Sequence, residues 1–255
     1  MEQTVSAGII DSYFKKLKKN LAVDTAIVGG GPSGIVAGYY LAKKGYQVAL
    51  FEQKLAPGGG MWGGAMMFNE IVVRKDALHI LDEFGIAYQA YEDGFYTLDS
   101  VHATASLIYH ATQAGVSIFN CVSFEDVVFQ NEQVAGVVLN WAPVSRERMH
   151  VDPLVVTAKT VLDGTGHDCM VARTLERKND IRLFTPTGKV VGERSLSVDE
   201  AERTTVENTK EIFPGLFVSG MAANGVSGGF RMGPIFGGML LSGKKVADLI
   251  AEKLK

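Results

Sequence analysis

The chain of 255 residues contains only two cysteines, Cys121 and Cys169, without C-x-x-C spacing, so no disulfide framework is expected. It has no run of about 18 apolar residues, so nothing is expected to cross a bilayer. The opening MEQTVSAGIIDSYFKKLKKN lacks an apolar core followed by a small-residue cleavage site, and no signal peptide is expected there. Charge of either sign is scarce in excess: 25 Lys and Arg against 28 Asp and Glu leave a net −3. That balance removes the electrostatic reason to expect nucleic acid or an anionic membrane as partner. Internal repeats and low-complexity linkers are also missing. The expectation is a reduced, cytoplasmic globular protein, and its 47% hydrophobic content suffices for a core. Glycine is what the chain has in excess, with 29 residues gathered in clusters.

The pattern predicts a single domain over 1–255. Residues 9–20 put Ile10, Tyr13, Phe14 and Leu17 at helical spacing, with lysines largely opposite, as in a helix packed on its own domain. Val23–Gly29 reads as a strand, 33–44 as a helix stopped by Gly45, and 47–52 as a second strand. The stretch 57–70, PGGGMWGGAMMFNE, reads as a glycine-rich loop. Helices are predicted over 76–92 and 101–114, then strands over 116–120, 126–130, 133–141 and 154–158, with a short returning strand at 160–162. The β-rich part suggests an inserted substrate-side region at about 71–155. Residues 171–211 are polar and carry no clear pattern. A strand at 215–220 and a helix at about 234–254 end the reading.

Gly29, Gly31 and Gly34 form G-x-G-x-x-G between a strand and a helix. The first glycine serves the tight turn, the second lets a pyrophosphate approach the backbone, and the third lets helix and strand pack closely. The phosphates would sit on the helix N-terminus, where free N–H groups and the dipole favour negative charge, with the Ser33 hydroxyl beside them. Glu52 ends the second strand, where an acid accepts hydrogen bonds from adenosine ribose and repels a 2′-phosphate. The G-T-G at 164–166 and the late strand GLFVSG resemble two further motifs of glutathione-reductase-like flavoproteins. The fold class is therefore α/β, a Rossmann-like dinucleotide-binding domain of the glutathione-reductase type with a small β-rich insertion. In those flavoproteins an Asp after the late strand's Gly holds the ribityl chain. Here Met221 follows Gly220, which favours a plain adenine dinucleotide over FAD.

His150-Val-Asp152 precedes one strand and Gly166-His167-Asp168 follows the returning one, so Asp152 and His167 can meet at one strand end. Such a pair either binds a divalent transition metal, with substrate completing the shell, or makes a metal-free hydrogen bond. Arg231, between glycines in GGFRMGP, can fork around a carboxylate or phosphate, or is a surface arginine.

Together DTAIVGGGPSG, FEQK, PGGGMWGGAMMFNEIVV, MHVDP, TGHD and FRMGPIFGGM resemble the thiamine thiazole synthase family, in the sulfide-using form of archaea and some anaerobes. The likeness runs from about residue 20 to 245. It implies that NAD is a substrate: nicotinamide leaves, the ribose opens to a ketone, glycine condenses, sulfur enters, and an adenylated thiazole carboxylate forms. In the fungal and plant form, the position of His150 holds a cysteine that gives up its own sulfur. His150 cannot, so free sulfide and multiple turnover are implied, with His150 as a catalytic proton-transfer group or a steric one. The resemblance further implies Fe(II) on Asp152 and His167, with Arg231 on the glycine carboxylate. It places the dinucleotide against Ser33, Glu52, Gln53, Gly60, Phe124, His150, Asp152 and Met221. It also implies a homo-octamer in which Asp152 reaches a neighbouring subunit. Cys169 reads as a small buried thiol, or as a sulfur donor if the sulfide reading fails; Cys121 reads as core. The competing readings are a small FAD-dependent oxidoreductase, a non-catalytic dinucleotide sensor, and a ribose bisphosphate isomerase or synthase. Asp152, His167 and Arg231 speak against a sensor, and Glu52 against the ribose bisphosphate reading.

Overall fold

The computed structural model describes residues 1–255. A helix α1 (Glu2–Lys19) leads into β1 (Ala22–Val28), α2 (Pro32–Lys43) and β2 (Val48–Glu52), the expected β-α-β unit. β1 and β2 are apolar at nearly every position because both faces of a parallel sheet are covered. Successive residues still part to opposite sides: Ile27, Val48 and Leu50 enter one core cluster, while Ala26, Val28, Ala49 and Phe51 enter the other.

A separate antiparallel sheet follows, built from β3 (Glu70–Arg74), a short helix α3 (Leu78–Glu83), β4 (Gln89–Ala90) and β5 (Phe95–Asp99). The helix predicted over 76–92 thus stops early. Gly85, at φ +62°, takes the left-handed conformation that ends it, and the chain turns into β4. The chain then enters α4 (Ser100–Gln113), whose first turn is capped by Asp99 accepting from the His102 N–H at 2.6 Å. Next, β6 (Ser117–Asn120) rejoins the parallel sheet beside β2.

A hairpin of β7 (Val122–Gln130) and β8 (Gln133–Trp141), then α5 (Ala142–Glu147), precedes β9 (Leu154–Asp163). β9 is one continuous strand, not the two predicted. Its beginning, Leu154–Thr157, pairs antiparallel with β8, and from Thr157 to Asp163 it pairs parallel with β1. The segment 71–155 is therefore not one insertion: 70–99 form the small sheet, β6 belongs to the parallel sheet, and the hairpin attaches through β9.

The polar stretch 171–211 resolves into α6 (Met170–Lys178), an extended passage, β10 (Arg194–Leu196) and α7 (Val198–Glu207). β11 (Lys210–Phe213), β12 (Leu216–Val218), α8 (Met221–Ser227), β13 (Phe230–Arg231) and α9 (Gly237–Lys253) complete the chain. The parallel strands lie in the order β6-β2-β1-β9-β12, with antiparallel β11 outside β12. Helices α2, α4 and α9 cover one face; α6, α8 and the hairpin cover the other. Each fully buried leucine or isoleucine there, such as Leu50 or Ile250, contributes about 2–3 kcal/mol of burial.

Only the C-terminal part of α1 touches this body: Leu17 is buried, and Tyr13 sets its ring near those of Phe119 and Trp141. Val5, Ile9, Ile10 and Phe14 are exposed, so the expected packing of the helix on its own domain holds for its last turns alone. No helix is long and apolar enough to cross a membrane.

Candidate active site

In a parallel sheet the carboxyl ends of strands on either side of the order reversal leave a crevice for ligands. Here those ends belong to β1 and β9, and the crevice is a cavity of about 480 Å³. The turn after β1 forms one wall. Gly29 stands at φ +97°, and a Cβ there would meet the Gly164 carbonyl oxygen at 2.4 Å. A Cβ on Gly34 would meet the Gly29 oxygen, also at 2.4 Å, so Gly34 sets the helix–strand contact and does not line the cavity. Gly31 has nothing within 4 Å of where its Cβ would be, which leaves its backbone open to a phosphate.

Glu52 is almost fully buried at the end of β2. One carboxylate oxygen accepts from the Gly30 N–H and the other from the Lys54 N–H, both at 2.8 Å. The acid therefore braces both loops and retains lone pairs that can accept further hydrogen bonds. Ser33, Gln53, Gly60, Phe124 and Met221 line the same cavity, beside Met170, Met232 and Met239. The Ser33 hydroxyl also accepts from the Ser219 hydroxyl at 3.2 Å, tying α2 to the loop before Met221.

The second wall is the turn 164–168 after β9, which carries His167 and Asp168. Asp163, wholly buried, organises it. One oxygen accepts from the Thr165 N–H and hydroxyl at 3.0 and 2.7 Å; the other accepts from the N–H groups of Val171 and Ala172 at 3.0 Å each. Burial raises its carboxyl above the ordinary range, and these four donors pull it back. Asp163 thus caps α6 and fixes the turn. His167 lies half-exposed on that turn, with Nδ1 2.5 Å from Glu193 Oε1.

The structure separates residues that the sequence reading brought together. Asp152 and His167 lie beyond opposite ends of β9, so they do not meet at one strand end within a chain. Asp152 instead lines a second, mostly apolar cavity of about 300 Å³ with Tyr13, Phe14 and Trp141. His150 is exposed on the same loop, which is held by Asn140 Nδ2 donating to the Val151 carbonyl at 3.0 Å. Within one chain neither His150 nor Asp152 lines the dinucleotide cavity. Arg231 is exposed on β13, next to the lining residue Met232. No three acid, imidazole or thiol side chains converge to hold a metal within the single chain. His167 could offer one oriented donor to such an ion, but the single chain brings no further ligand set to it.

Cys169 is buried. Its Sγ lies 3.6 Å from the Ala222 carbonyl, and burial pushes the thiol up to about 12. This is the small-hydrophobe behaviour expected of it. Cys121 is half-buried, not core; it takes φ +57° where the chain turns from β6 into β7. Sequence reasoning missed Asp163 and Glu193. An acid closing a buried strand directly before G-T-G was a signal for the first; the second has no local signal.

The parallel sheet, the glycine turn on a helix N-terminus and the buried strand-end acid define a dinucleotide-binding α/β protein of the glutathione-reductase type. The Thi4 family profile matches residues 6–236. A thiamine thiazole synthase of Methanothermobacter thermautotrophicus is 53% identical over 98% of this chain and 97% of its own. One of Desulfosudis oleivorans is 54% identical over 100% and 98%. The crystal structure of Thermovibrio ammonificans THI4 superposes with a TM-score of 0.98 at 55% identity, covering 100% of this chain and 98% of that one. The chain belongs to the Thi4 family, the enzymes of thiamine thiazole biosynthesis.

Proposed function

We propose that the chain converts NAD, glycine and sulfide into an adenylated thiazole carboxylate with release of nicotinamide, turning over repeatedly and depending on Fe(II). The observation that carries this reading is that the G-x-G-x-x-G turn and His167 wall one cavity. An imidazole in the same cavity as the phosphate turn serves chemistry on the dinucleotide itself. The amide groups at the start of α2 bind the pyrophosphate, and Glu52 accepts from the adenosine ribose. The backbone around Phe124 faces the adenine, and the methionines of the cavity keep water from the reacting ribose.

His167 offers Nε2 to the metal, and Asp152 of a second copy supplies the carboxylate. When bound, Fe(II) supplies Lewis acidity and a binding point for sulfide. Arg231 forks around the glycine carboxylate. His150 moves protons in the eliminations, and because it has no sulfur to give, sulfide is the sulfur source. The homo-octamer belongs to the same reading, supported by the exposed apolar residues of α1 together with Trp141, Met149 and Val151. So does a cytoplasmic location, beside a metabolic supply of NAD.

Mass spectrometry and absorbance of the small molecules released on denaturation form the first test, followed by anaerobic assay with NAD, glycine, sulfide and Fe(II). An adenylated thiazole, or an ADP-ribose-like adduct, and product in molar excess over enzyme are expected. A released yellow flavin overturns the reading in favour of an oxidoreductase. Conversion of a cysteine to dehydroalanine in the intact mass overturns the sulfide route.

A further inference from the structure

We propose that Glu193 is the positioning residue that fixes the tautomer and ring direction of His167, so that Nε2 is the atom presented to a divalent metal. The inference rests on the reading of His167 as a metal ligand. It starts from a ring that needs holding: the His167 side chain is 46% exposed, on a short turn flanked by Gly166 at φ +74° and Cys169 at φ +47°. Left alone, such a ring samples several rotamers and both neutral tautomers. Glu193 Oε1 stands 2.5 Å from Nδ1, and the Glu193 side chain is only 17% exposed.

A carboxylate can only accept, so Nδ1 carries the hydrogen and the free lone pair is on Nε2. Metal-binding histidines are commonly backed in this way, and the carboxylate behind them raises the basicity of the ligating nitrogen.

The backbone that carries Glu193 is anchored on both sides of it. The Gly192 N–H donates to the Gly225 carbonyl and the Arg194 N–H to the Gly229 carbonyl, each at 2.9 Å, while the Val191 N–H donates to the Val226 carbonyl at 3.0 Å. Residues 191–194 are thus stitched to α8 and the glycine loop after it. The anchor tolerates no growth: a Cβ on Gly225 would lie 2.4 Å from Cys169 Sγ. Arg194, directly after Glu193, opens β10, which pairs in parallel with β13, the strand of Arg231. One short passage therefore sets the direction of His167 and supports the strand of the arginine. A mere surface ion pair, by contrast, would join two mobile side chains and contribute little.

The test is anaerobic titration of the full-length protein with Co(II), read by its visible absorption, alongside nitrogen NMR of the His167 ring without metal. H167A should lose the tight site. E193A should bind Co(II) about 10- to 100-fold more weakly and show a mixed or Nε2–H ring. E193Q, whose amide oxygen still accepts from Nδ1, should recover much of the affinity and the wild-type tautomer. Wild-type affinity in E193A, with the site lost in H167A, overturns the positioning role alone. Equal weakening in E193A and E193Q also overturns it, because charge and not orientation is then what Glu193 supplies. Undiminished binding by H167A overturns both this inference and the metal reading beneath it.

Discussion

Asp152 and His167 flank the ten residues of β9, one before its first residue and one beyond its last. At about 3.3 Å per residue the strand holds them roughly 30 Å apart. A metal that uses both must therefore lie between two copies, with the carboxylate of one chain and the imidazole of the other. The Asp152→Ala and His167→Ala proteins should each be inactive alone, and unfolding them together and reassembling them should restore activity. Random assembly at equal amounts leaves about a quarter of the sites with both ligands intact. Rate measurement on the reassembled mixture checks this; a mixture as inactive as its components would mean that the two residues do not share a site.

Gly31 and Gly34 lie three residues apart and should fail in different ways. Alanine at 34 drives a Cβ to 2.4 Å from the Gly29 carbonyl oxygen, which belongs to backbone and cannot swing aside. The cost should be about 2–3 kcal/mol of stability. Alanine at 31 meets nothing within 4 Å, and at φ −73° the backbone accepts any residue. That variant should change stability by no more than about 1 kcal/mol. Its methyl group nevertheless occupies the space a pyrophosphate needs, so NAD affinity should fall at least tenfold. Urea denaturation and calorimetric NAD titration of both proteins separate the effects. Tight NAD binding by Gly31→Ala would remove this turn from the phosphate site.

The glycine turn and its neighbouring acid were legible in the residues because each position there answers a local demand. Gly29 needs positive φ, Gly34 needs no Cβ, and Glu52 ends a strand at a fixed offset from both. The error over Asp152 and His167 came from Lys159. Its charge interrupts an apolar run and reads as the end of a strand. In the fold it only points outward from β9, pairing with Asp24 at 2.8 Å, while the strand continues. Gly85 was equally misread, since the apolar spacing of 76–92 continues past a residue that takes φ +62° and ends the helix. Glu193 was invisible for a different reason. Its role depends on α8 and the turn after β9 arriving beside it, and no neighbour in the sequence announces that.

Cys169 lies two residues from His167 yet should take no part in the chemistry. Its thiol, pushed up to about 12 by burial, is protonated and unreactive near neutral pH. Iodoacetamide applied to the native protein should leave Cys169 unmodified, and Cys169→Ala should retain sulfide-dependent turnover with a modest loss of stability. Peptide mass mapping and the turnover assay check the two halves. An inactive but folded Cys169→Ala protein would reopen the cysteine as sulfur source.

Glu202 predicts how stability should change with pH. Its side chain on α7 is buried; Oε1 accepts from the Gly238 N–H at 2.8 Å at the start of α9, while Oε2 has no partner. Burial, aided by Asp76 and opposed by the Gly238 hydrogen bond and Arg74, pushes this carboxyl up to about 7 from an ordinary 4.5. Between those values the folded protein holds a proton that the unfolded chain has released. The contribution is therefore complete below about pH 4.5 and is lost as pH rises through 7, a change of about 3 kcal/mol in all. Glu202→Gln keeps the acceptor for Gly238 and cannot ionise. It should match the wild type near pH 5 and exceed it in stability near pH 8. Urea midpoints across that range decide the matter: if the two profiles stay parallel, Glu202 keeps no proton in the fold, and its unpartnered oxygen must be accommodated in some other way.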